Sequence, residues 1–497
     1  MKNQIIIKSI YLFIIILFSY QNLWSQNPVN IIQSNKLEQI IINDTIFQKL
    51  SGDVIIEYTE FTIQCDTMLF DEYKENLIGW GNINVVNTEL KCSSDAINIH
   101  KLDSTISFLN NTVIELDNLV IYSDNAKYSY NNNILSYNQG GYVKNNEMQI
   151  ESEKLTYNNK SKVANFNNQV KLFNETYKLY TENLKKNNQL INFSGTTIIY
   201  QDDLVIKCKK GDLEQFISFN LFTDVEVETD SLLIKSNKLF IDLKKNTSYF
   251  SNNVDVKIND KTHLYGDNFY QIDSISTMTN NSFIELINSS DTLKIYGDTL
   301  TINQDKEELK ILNNVIIYGN QLEGSCKRMH FYSNYKDIYM HDQPVLWFKD
   351  TQITGELIEL YTRENNLDSI YITKNPFILS PIDSLTYFNQ ISGNTLNGKF
   401  KNQTIHYINV YGNSQVKYFE RIKSKSSINI NDVQSGNIQI RFNNNNNIKE
   451  LMCYDQIESN CIEVDITKPI LSEKLLYLDG FIKKNRLTLY KNLNISN

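Results

Sequence analysis

The residues of this chain that could carry out chemistry are few and widely spaced. Cys326 and His330 are four residues apart, but on a strand this spacing separates the side chains by about 13 Å, too far to share a metal. The sequence has no G-x-S-x-G nucleophile motif and no glycine-rich phosphate loop. No H-E-x-x-H pair occurs among the five histidines, which are His100, His263, His330, His341 and His406. We therefore predict a protein with no catalytic residues, no metal and no cofactor, and hence not an enzyme.

The cysteines are also far apart. No C-x-x-C pair occurs among Cys65, Cys92, Cys208, Cys326, Cys453 and Cys461, so neither a zinc site nor a small disulfide framework is indicated. Cys453 and Cys461 could bridge two neighbouring strands in an oxidising compartment. The alternative is a set of buried free thiols.

Acidic residues recur with a fixed spacing. A small residue followed by an acid returns every 29 residues from Cys65-Asp66 to Thr181-Glu182, and the series continues less regularly to Gly436-Asn437. A column of carboxylates could bind Ca²⁺, but one acid in 29 residues is sparse, and some copies carry Asn237 or Lys327 instead. We interpret the acids as structural corners that accept hydrogen bonds from nearby backbone N–H groups. The predicted corners are Asp66, Asp95, Asp124, Glu153, Glu182, Asp267, Asp298 and Glu356.

Apolar residues flank each corner in a shared pattern. They occupy the position three residues before the acid, and the positions two and often four residues after it. This pattern changes strand parity by one residue at the corner, which a strand accommodates with a bulge or a bend. The apolar positions should therefore face one continuous interior, which is either a lipid-accepting trough or a dry core. The candidate lipid-binding residues are Ile97, Ile121, Leu155, Leu239, Leu264, Phe269, Ile295, Leu300, Ile302, Ile358 and Leu360.

The elements that carry these residues are predicted to be strands. Helical periodicity is nearly absent after the N-terminal segment, and runs such as GDVIIEY (52–58) and NNVIIYG (313–319) place Asn or Gly before β-branched residues. We interpret the Asn and Gly residues as tight turns between short strands. Units of this kind bury their apolar faces only by stacking. The predicted fold is all-β, an elongated stack of ~29-residue repeats with an apolar interior, each repeat advancing one strand spacing of ~4.8 Å.

Composition and the N-terminus restrict the function. The net charge is −9 and the pI is near 5.3, which argues against a nucleic-acid partner. Lys2 and Lys8 accompany an apolar run that ends at Phe18, which predicts a signal peptide over residues 1–25. An uncleaved N-terminal anchor is the alternative. We predict three further regions: repeats over 26–200, a second run of repeats over 201–375, and a divergent C-terminal module or cap over 376–497.

The stretch LSGDVIIEYTEFTIQCDTMLFDEYKENLIGWGNINVV, which begins at Leu50, resembles the OstA-like or LptA-like periplasmic family. Similar patterns return in NNVDVKINDKTHLYGDNFYQI and NNVIIYGNQLEGSCKRMHFY. The resemblance implies a β-jelly-roll that carries lipopolysaccharide through the periplasm towards the outer membrane. It also implies partners of the same fold that dock by edge-strand addition.

Two functions remain open at this level. The first is a non-enzymatic, periplasmic lipopolysaccharide- or lipid-binding protein of outer-membrane assembly. The alternative is a structural or surface β-solenoid with a dry core.

Overall fold

The computed structural model describes most of the chain. The described residues are 29–43, 45–71, 76–230, 232–287, 292–320, 322–332, 337–363, 366–383, 387–401, 404–421, 427–443, 448–465 and 473–486. The predicted signal peptide lies outside these residues. No helix among the described residues is long and apolar enough to cross a membrane.

The chain divides into two compact units. Unit 1 comprises Met1–Asp202 and Asp212–Gln215, and unit 2 comprises Asp203–Gly211 and Phe216–Asn497. The predicted regional limits at 200 and 375 stay predictions.

Unit 1 is built from strands. They are β1 (Asn30–Gln33), β2 (Lys36–Ile42), β3 (Thr45–Tyr58), β4 (Phe61–Asp71), β5 (Asn76–Val86), β6 (Leu90–His100), β7 (Thr105–Leu116), β8 (Leu119–Ser129), β9 (Ile134–Tyr137), β10 (Gly141–Lys144), β11 (Gln149–Ser152), β12 (Lys154–Asn158), β13 (Val163–Phe173), β14 (Lys178–Asn187) and β15 (Leu190–Gln201). Strand β16 (Leu204–Glu214) contributes residues to both units.

Unit 2 continues the pattern and adds one short helix. Its strands are β17 (Ser218–Glu228), β18 (Leu233–Asp242), β19 (Thr247–Asn259), β20 (Thr262–Ile272), β21 (Ile275–Thr279), β22 (Phe283–Ile287), β23 (Thr292–Tyr296), β24 (Thr299–Asn303), β25 (Glu308–Tyr318), β26 (Glu323–Tyr332), β27 (Asp337–His341), β28 (Val345–Phe348), β29 (Thr351–Thr354), β30 (Leu357–Arg363), β31 (Asn366–Ile372), β32 (Phe377–Asp383), β33 (Tyr387–Ser392), β34 (Thr395–Lys401), β35 (Thr404–Arg421), β36 (Ser427–Phe442), β37 (Ile448–Tyr454) and β38 (Glu458–Asp465). The helix is α1 (Glu473–Leu476).

The all-β prediction is confirmed, and neighbouring strands pair antiparallel in both units. One 29-residue repeat corresponds to two long strands, such as β4 with β5 or β6 with β7, or to the short strands into which these divide. Each repeat therefore advances two strand spacings, ~9.6 Å, and the prediction of a single spacing was wrong. The reason is that the acid of the repeat occurs only on every second strand.

The Asn and Gly pairs are not turns between strands, as the sequence suggested, but bulges inside long strands. Gly81 and Asn82 lie in the middle of β5 with φ of 77° and 48°, and pairing with β6 shifts register between Trp80 and Ile83. Asn110 and Asn111 do the same in β7. Two successive residues with positive φ bend a strand without reversing it. The hairpin turns lie at the strand ends instead, as at Asp117 between β7 and β8.

The bend keeps one face of each strand buried. In β6, Cys92 and Ser94 are buried before the acid, and Ile97 and Ile99 are buried after it. The expected parity change thus occurs at Asp95. The same alternation in β3 to β8 and β13 to β15 gives unit 1 a core of inward Ile, Leu, Val, Phe and Tyr side chains, which shield apolar surface from water.

Candidate functional site

Most of the predicted corner acids bind amide side chains on the next strand. Asp66 accepts a hydrogen bond from Asn82 Nδ2 at 2.9 Å, and Asp95 accepts one from Asn111 Nδ2 at 2.7 Å. In further copies the acid and its amide donor are Glu153 with Asn168 and Gln169, Asp267 with Asn281, Asp298 with Asn314, and Glu356 with Asn375. Each donor is a positive-φ residue or follows one. The corner therefore consists of an acid on one strand and a bulged amide pair on the next.

Two other predicted acids behave differently. Glu182 Oε1 accepts the backbone N–H of Thr196 at 3.1 Å, which is the backbone contact that the sequence suggested for all of the acids. Asp124 is exposed on β8, beside Ser123, whose hydroxyl donates to the Gly140 carbonyl at 2.8 Å.

In two copies that lack the acid, the hydrogen-bond donor and the acceptor change places. Where Lys327 replaces the acid, the acid is instead the positive-φ residue Asp342, which pairs with Arg328 at 2.5 Å. Where Asn437 replaces it, Asn437 Nδ2 donates to the positive-φ residue Asp455 at 2.6 Å. The interaction persists, but the donor now lies on the strand that elsewhere carries the acid, and the acid lies on the strand that elsewhere carries the amide. These corners therefore belong to the same structural series.

The small residue before each acid is part of the corner. Ser94 Oγ donates to the Ala96 carbonyl at 3.0 Å, and Ser123, Ser152, Ser236 and Cys326 make the equivalent bond two residues ahead. At other corners the residue is glycine. Gly266 and Gly297 do not have positive φ, so the bend is not what requires them. A Cβ at Gly297 would lie 2.4 Å from Ile311 Cγ2 and one at Gly266 would lie 2.7 Å from Met278 Cγ, so close approach requires glycine.

The candidate lipid-binding residues all lie on the inward face. Ile97 and Ile358 are 0% exposed, and Ile302 is the most exposed of the set at 8%. The others are Ile121, Leu155, Leu239, Leu264, Phe269, Ile295, Leu300 and Leu360, each at 1% or 2%. Burial is expected for a trough and for a dry core alike, so their role in lipid binding stays a prediction.

In unit 1 the bent sheet brings two rows of turns together. Turns that follow β3, β5 and β7 form the first rim, and turns that follow β8 and β12 form the second. The hydroxyls of Tyr58 and Tyr130 lie 3.1 Å apart, and Asn159 Nδ2 donates to Glu89 Oε2 at 2.6 Å. Lys162 forms an ion pair with Asp117. We call these contacts the seam of unit 1, and they close the apolar face off from water.

Unit 2 contains a cavity of about 590 Å³. Corner residues such as Glu356 and Asn394 line it together with Asp479 and Lys484. None of the candidate lipid-binding residues lines it. Polar and apolar groups both line it, with Val345 and Phe377 among the apolar ones.

The cysteines and histidines form no metal site among the described residues. Burial raises the pKa of Cys208 and Cys326 to about 12, and burial together with the nearby Asp66 carboxylate raises that of Cys65 to about 12. Cys453 and Cys461 are free, but Cys453 is only half-buried and Cys461 is exposed, so the expectation of buried thiols was wrong for these two. Cys453 pairs with Ile438 and Cys461 with Asn431, seven residues apart on β36, because β37 and β38 flank different halves of that strand.

Sequence comparison identifies the family of the N-terminal part. Residues 26–182 match the family model described as "OstA-like protein". This segment is OstA-like. It contains β1 to β13 and all five predicted corner acids of unit 1, whereas the corners at Asp267, Asp298 and Glu356 lie outside it. No curated protein sequence matches the chain.

A search of solved structures gives a distant similarity. The crystal structure of LptH from Pseudomonas aeruginosa, the LptA-homologous periplasmic component of a lipopolysaccharide transport device, is 12% identical, with a TM-score of 0.21. The match covers 22% of this chain and 82% of LptH. Such identity and TM-score are too low to transfer a function.

Proposed function

We propose that this protein is a non-enzymatic, periplasmic lipid carrier that holds the acyl chains of lipopolysaccharide, or of a related lipid, between the two walls of its bent sheet. In this role it takes part in lipopolysaccharide transport and outer-membrane assembly. The observation that carries the proposal is the inward face of the OstA-like segment, which is mainly apolar and is bounded by a polar seam. Ile97, Ile121 and Leu155 belong to this face.

The energetics favour exchange of core contacts for acyl chains. Burying one CH₂ group contributes ~0.8 kcal/mol, so a twelve-carbon chain contributes on the order of 10 kcal/mol. The polar contacts that close the seam are weaker, because an exposed ion pair such as Lys162 with Asp117 contributes only ~0–1 kcal/mol. The free energy needed to break the seam contacts is therefore smaller than the free energy gained by burying the acyl chain, provided that the chain replaces the apolar contacts between the two walls.

The terminal strands suit partners of similar fold. Among the described residues, β1 and β2 pair only with β3, and β37 and β38 pair only with β36. Ile32 and Ile41 on the first pair are 53% and 72% exposed. An unpaired edge with exposed apolar side chains accepts a strand from another protein, which supports docking by strand addition at either terminal pair.

The second candidate function is a structural β-solenoid with a dry core. The observation that favours it is the complete burial of large side chains such as Phe108 and Phe166, which are 0% and 1% exposed and fill the interior of unit 1. A dry core predicts that no lipid accompanies the protein.

Photo-crosslinking tests the lipid proposal. We would place p-benzoylphenylalanine at Ile97 or Leu155, with the exposed positions Lys91 and Glu115 as controls, and express the variants in the periplasm of a Gram-negative host. We expect lipopolysaccharide or another lipid to crosslink at the inward positions only. Because a bulky inward residue could disturb folding, native mass spectrometry of the gently purified unmodified protein is the second measurement. Equal crosslinking at all positions, or protein free of lipid in the spectrum, would overturn the proposal.

A further inference from the structure

A segment near the C-terminus lies along one outer row of unit 2. We call residues 473–486 the strap; it begins with α1 and continues as irregular chain. Beneath it runs a row of seven cross-strand partners on the face opposite the interior. The row is Glu323, Trp347, Gln352, Leu379, Gln390, Lys417 and Asp432, contributed by β26, β28, β29, β32, β33, β35 and β36. We call it the outer row.

Successive residues of the strap contact successive members of the outer row. Lys417 Nζ lies 3.5 Å from the carbonyl of Lys474, at the start of the strap. Leu478 packs with Leu379 further along, and Arg486 pairs with Glu323 at the other end. The strap and the row therefore run in opposite order, strand after strand.

Two glutamines bind the main chain of the strap in the same way. Gln390 Nε2 donates to the Leu476 carbonyl at 2.7 Å, and Gln390 Oε1 accepts the Leu478 N–H at 2.8 Å. Gln352 repeats this pair of bonds with the Ile482 carbonyl at 2.8 Å and the Lys484 N–H at 2.9 Å. In both cases one side-chain amide spans residues i and i+2 of the strap. An amide used in this way pairs with the main chain as a neighbouring strand would, and does not select the strap's side chains.

Apolar contacts add to these polar ones. Leu478 is 8% exposed and lies in a cluster with Phe377, Leu379 and Phe388, against which Phe481 also packs. Leu475 and Leu476 pack against the cluster of Phe419 and Ile430. Two apolar anchors thus alternate with the two glutamines along the strap.

The outer row differs from the outward face of unit 1. Outward positions in β4 and β6, such as Gln64 and Lys91, are exposed, whereas Gln390 and Lys417 are 0% and 2% exposed. Buried polar groups require hydrogen-bond partners. Gln352 obtains its partners from the strap, and Gln390 obtains two of its three there, the third being the Phe388 carbonyl, so this surface is complete only when a peptide segment covers it.

From these contacts we propose that the outer row is a peptide-binding groove that recognises the main chain of its ligand through hydrogen bonds. The strap is its tethered ligand. Because every copy of the protein carries the same strap, the groove also recognises the strap of a second copy. In cis the tether gives an effective concentration in the millimolar range. Exchange between copies therefore requires that the local attachment be broken or that a second strap be present at comparable concentration. This proposal does not depend on lipid binding.

Peptide exchange on the nicked full-length chain tests the groove. We would insert a protease site between Asp465 and Glu473, cut it, and add an excess of a fluorescent synthetic peptide of residues 473–486. We expect the severed strap to stay bound during gel filtration and the labelled peptide to replace it with time. N-methylation of the peptide at Leu478 and Lys484 removes both donors to the glutamines and should weaken binding at least tenfold. N-methylation at Lys483, whose N–H pairs with neither glutamine, is the matched control.

The alternatives give different results. If circular dichroism shows a folded protein but no peptide exchanges, the strap is a permanent part of the core and the proposal fails. Equal binding of the two methylated peptides would show that the groove does not recognise the main-chain N–H groups of Leu478 and Lys484. This result would also overturn the proposal. In the uncut protein, Gln390→Ala should speed hydrogen exchange at the Leu478 amide by at least tenfold, while Gln64→Ala should not. Equal rates in these two variants would contradict the proposed contact.

Discussion

Unit 1 and the strap-covered part of unit 2 use the same bent strands but bury them differently. In unit 1 each strand buries one face, and a polar seam closes the interior. Under the strap both faces are buried, since Ile353 faces inward and Gln352 faces the strap, at 0% and 4% exposure. In unit 1 only the weak polar contacts of the seam keep the interior closed. Under the strap, a segment crosses successive strands and holds them together. We infer that opening is easiest in unit 1.

The corners show a parallel difference. Unit 1 uses Cys65, Ser94, Ser123, Ser152 and Thr181 before the acid, whereas the later corners of unit 2 mostly use glycine, at Gly266, Gly297, Gly355 and Gly393. A hydroxyl binds a carbonyl of its own strand at the corner, while glycine gives that space to a neighbouring apolar side chain. The same bend is thus stabilised by a hydrogen bond in one region and by close packing in the other.

Thiol labelling should give the largest difference between interior and surface. At pH 8 a thiol with a pKa of about 12, as for Cys65 and Cys326, has on the order of 10³-fold less thiolate than an ordinary thiol with a pKa of ~8.5. We expect maleimide to label the exposed Cys461 at least 10³-fold faster than either buried thiol. Because a raised pKa lowers the thiolate fraction below that pKa, labelling of the buried thiols should rise as pH increases towards 12.

A seam variant extends this measurement to the comparison of the two units. Lys162→Ala removes the ion pair with Asp117 and should accelerate labelling of Cys65, in unit 1, without changing that of Cys326, in unit 2. Mass spectrometry of peptides from the labelled protein identifies the modified cysteine. Native labelling of Cys65 as fast as that of Cys461 would show that the unit 1 interior is open without any change at the seam.

The buried lysine under the strap should have the largest effect on stability. Lys417 has a 3% exposed side chain and pairs with Asp432 at 2.6 Å. Asp432→Ala leaves the cation buried without this partner and should reduce the free energy of unfolding by about 3 kcal/mol. Lys417→Met keeps the volume, removes the charge and should cost much less. Urea unfolding measures both, and equal losses in the two variants would show that charge burial is not the cause.

The glycine corner should be next in magnitude. A Cβ at Gly355 would lie 2.4 Å from Ile372 Cγ2, so Gly355→Ala should cost about 1–3 kcal/mol through overpacking. In an Ile372→Ala background the clash is absent, and the same substitution should cost almost nothing. A double-mutant cycle of urea midpoints measures this coupling. Additive effects would mean that space beside Ile372 does not explain the glycine.

The sequence predicted the all-β fold and located one half of each corner. The acids were visible because a 29-residue spacing separates them, and the parity change around Asp95 was readable from apolar residues alone. The amide partners were missed because Asn82 and Asn111 follow their acids by 16 residues and pair across strands. Their signal was present in the Asn and Gly pairs, which resembled turns because a left-handed backbone serves a bulge and a turn equally.

The strap could not be read from the sequence. Gln352 and Gln390 occupy outward strand positions, where glutamine is ordinarily solvated, and their partners lie 130 and 86 residues further along the chain. No local pattern links positions so distant. The lipid-binding candidates have the opposite limitation: a strand pattern identifies inward residues such as Ile97 and Leu155, but apolar side chains serve a core and a trough alike.

The serine corner should show the smallest effect and completes the comparison of the two kinds of corner. Ser94→Ala removes the hydroxyl that donates to the Ala96 carbonyl at 3.0 Å and should reduce the free energy of unfolding by ~1 kcal/mol. Ser93→Ala, one residue earlier on the exposed face of β6, is the matched control and should change stability very little. The two serines differ in burial and in this bond but share a strand, so the difference between their urea midpoints isolates the corner. If the two variants are equally stable, unit 1 corners do not depend on the hydroxyl, and the contrast with the glycine corners of unit 2 rests on packing alone.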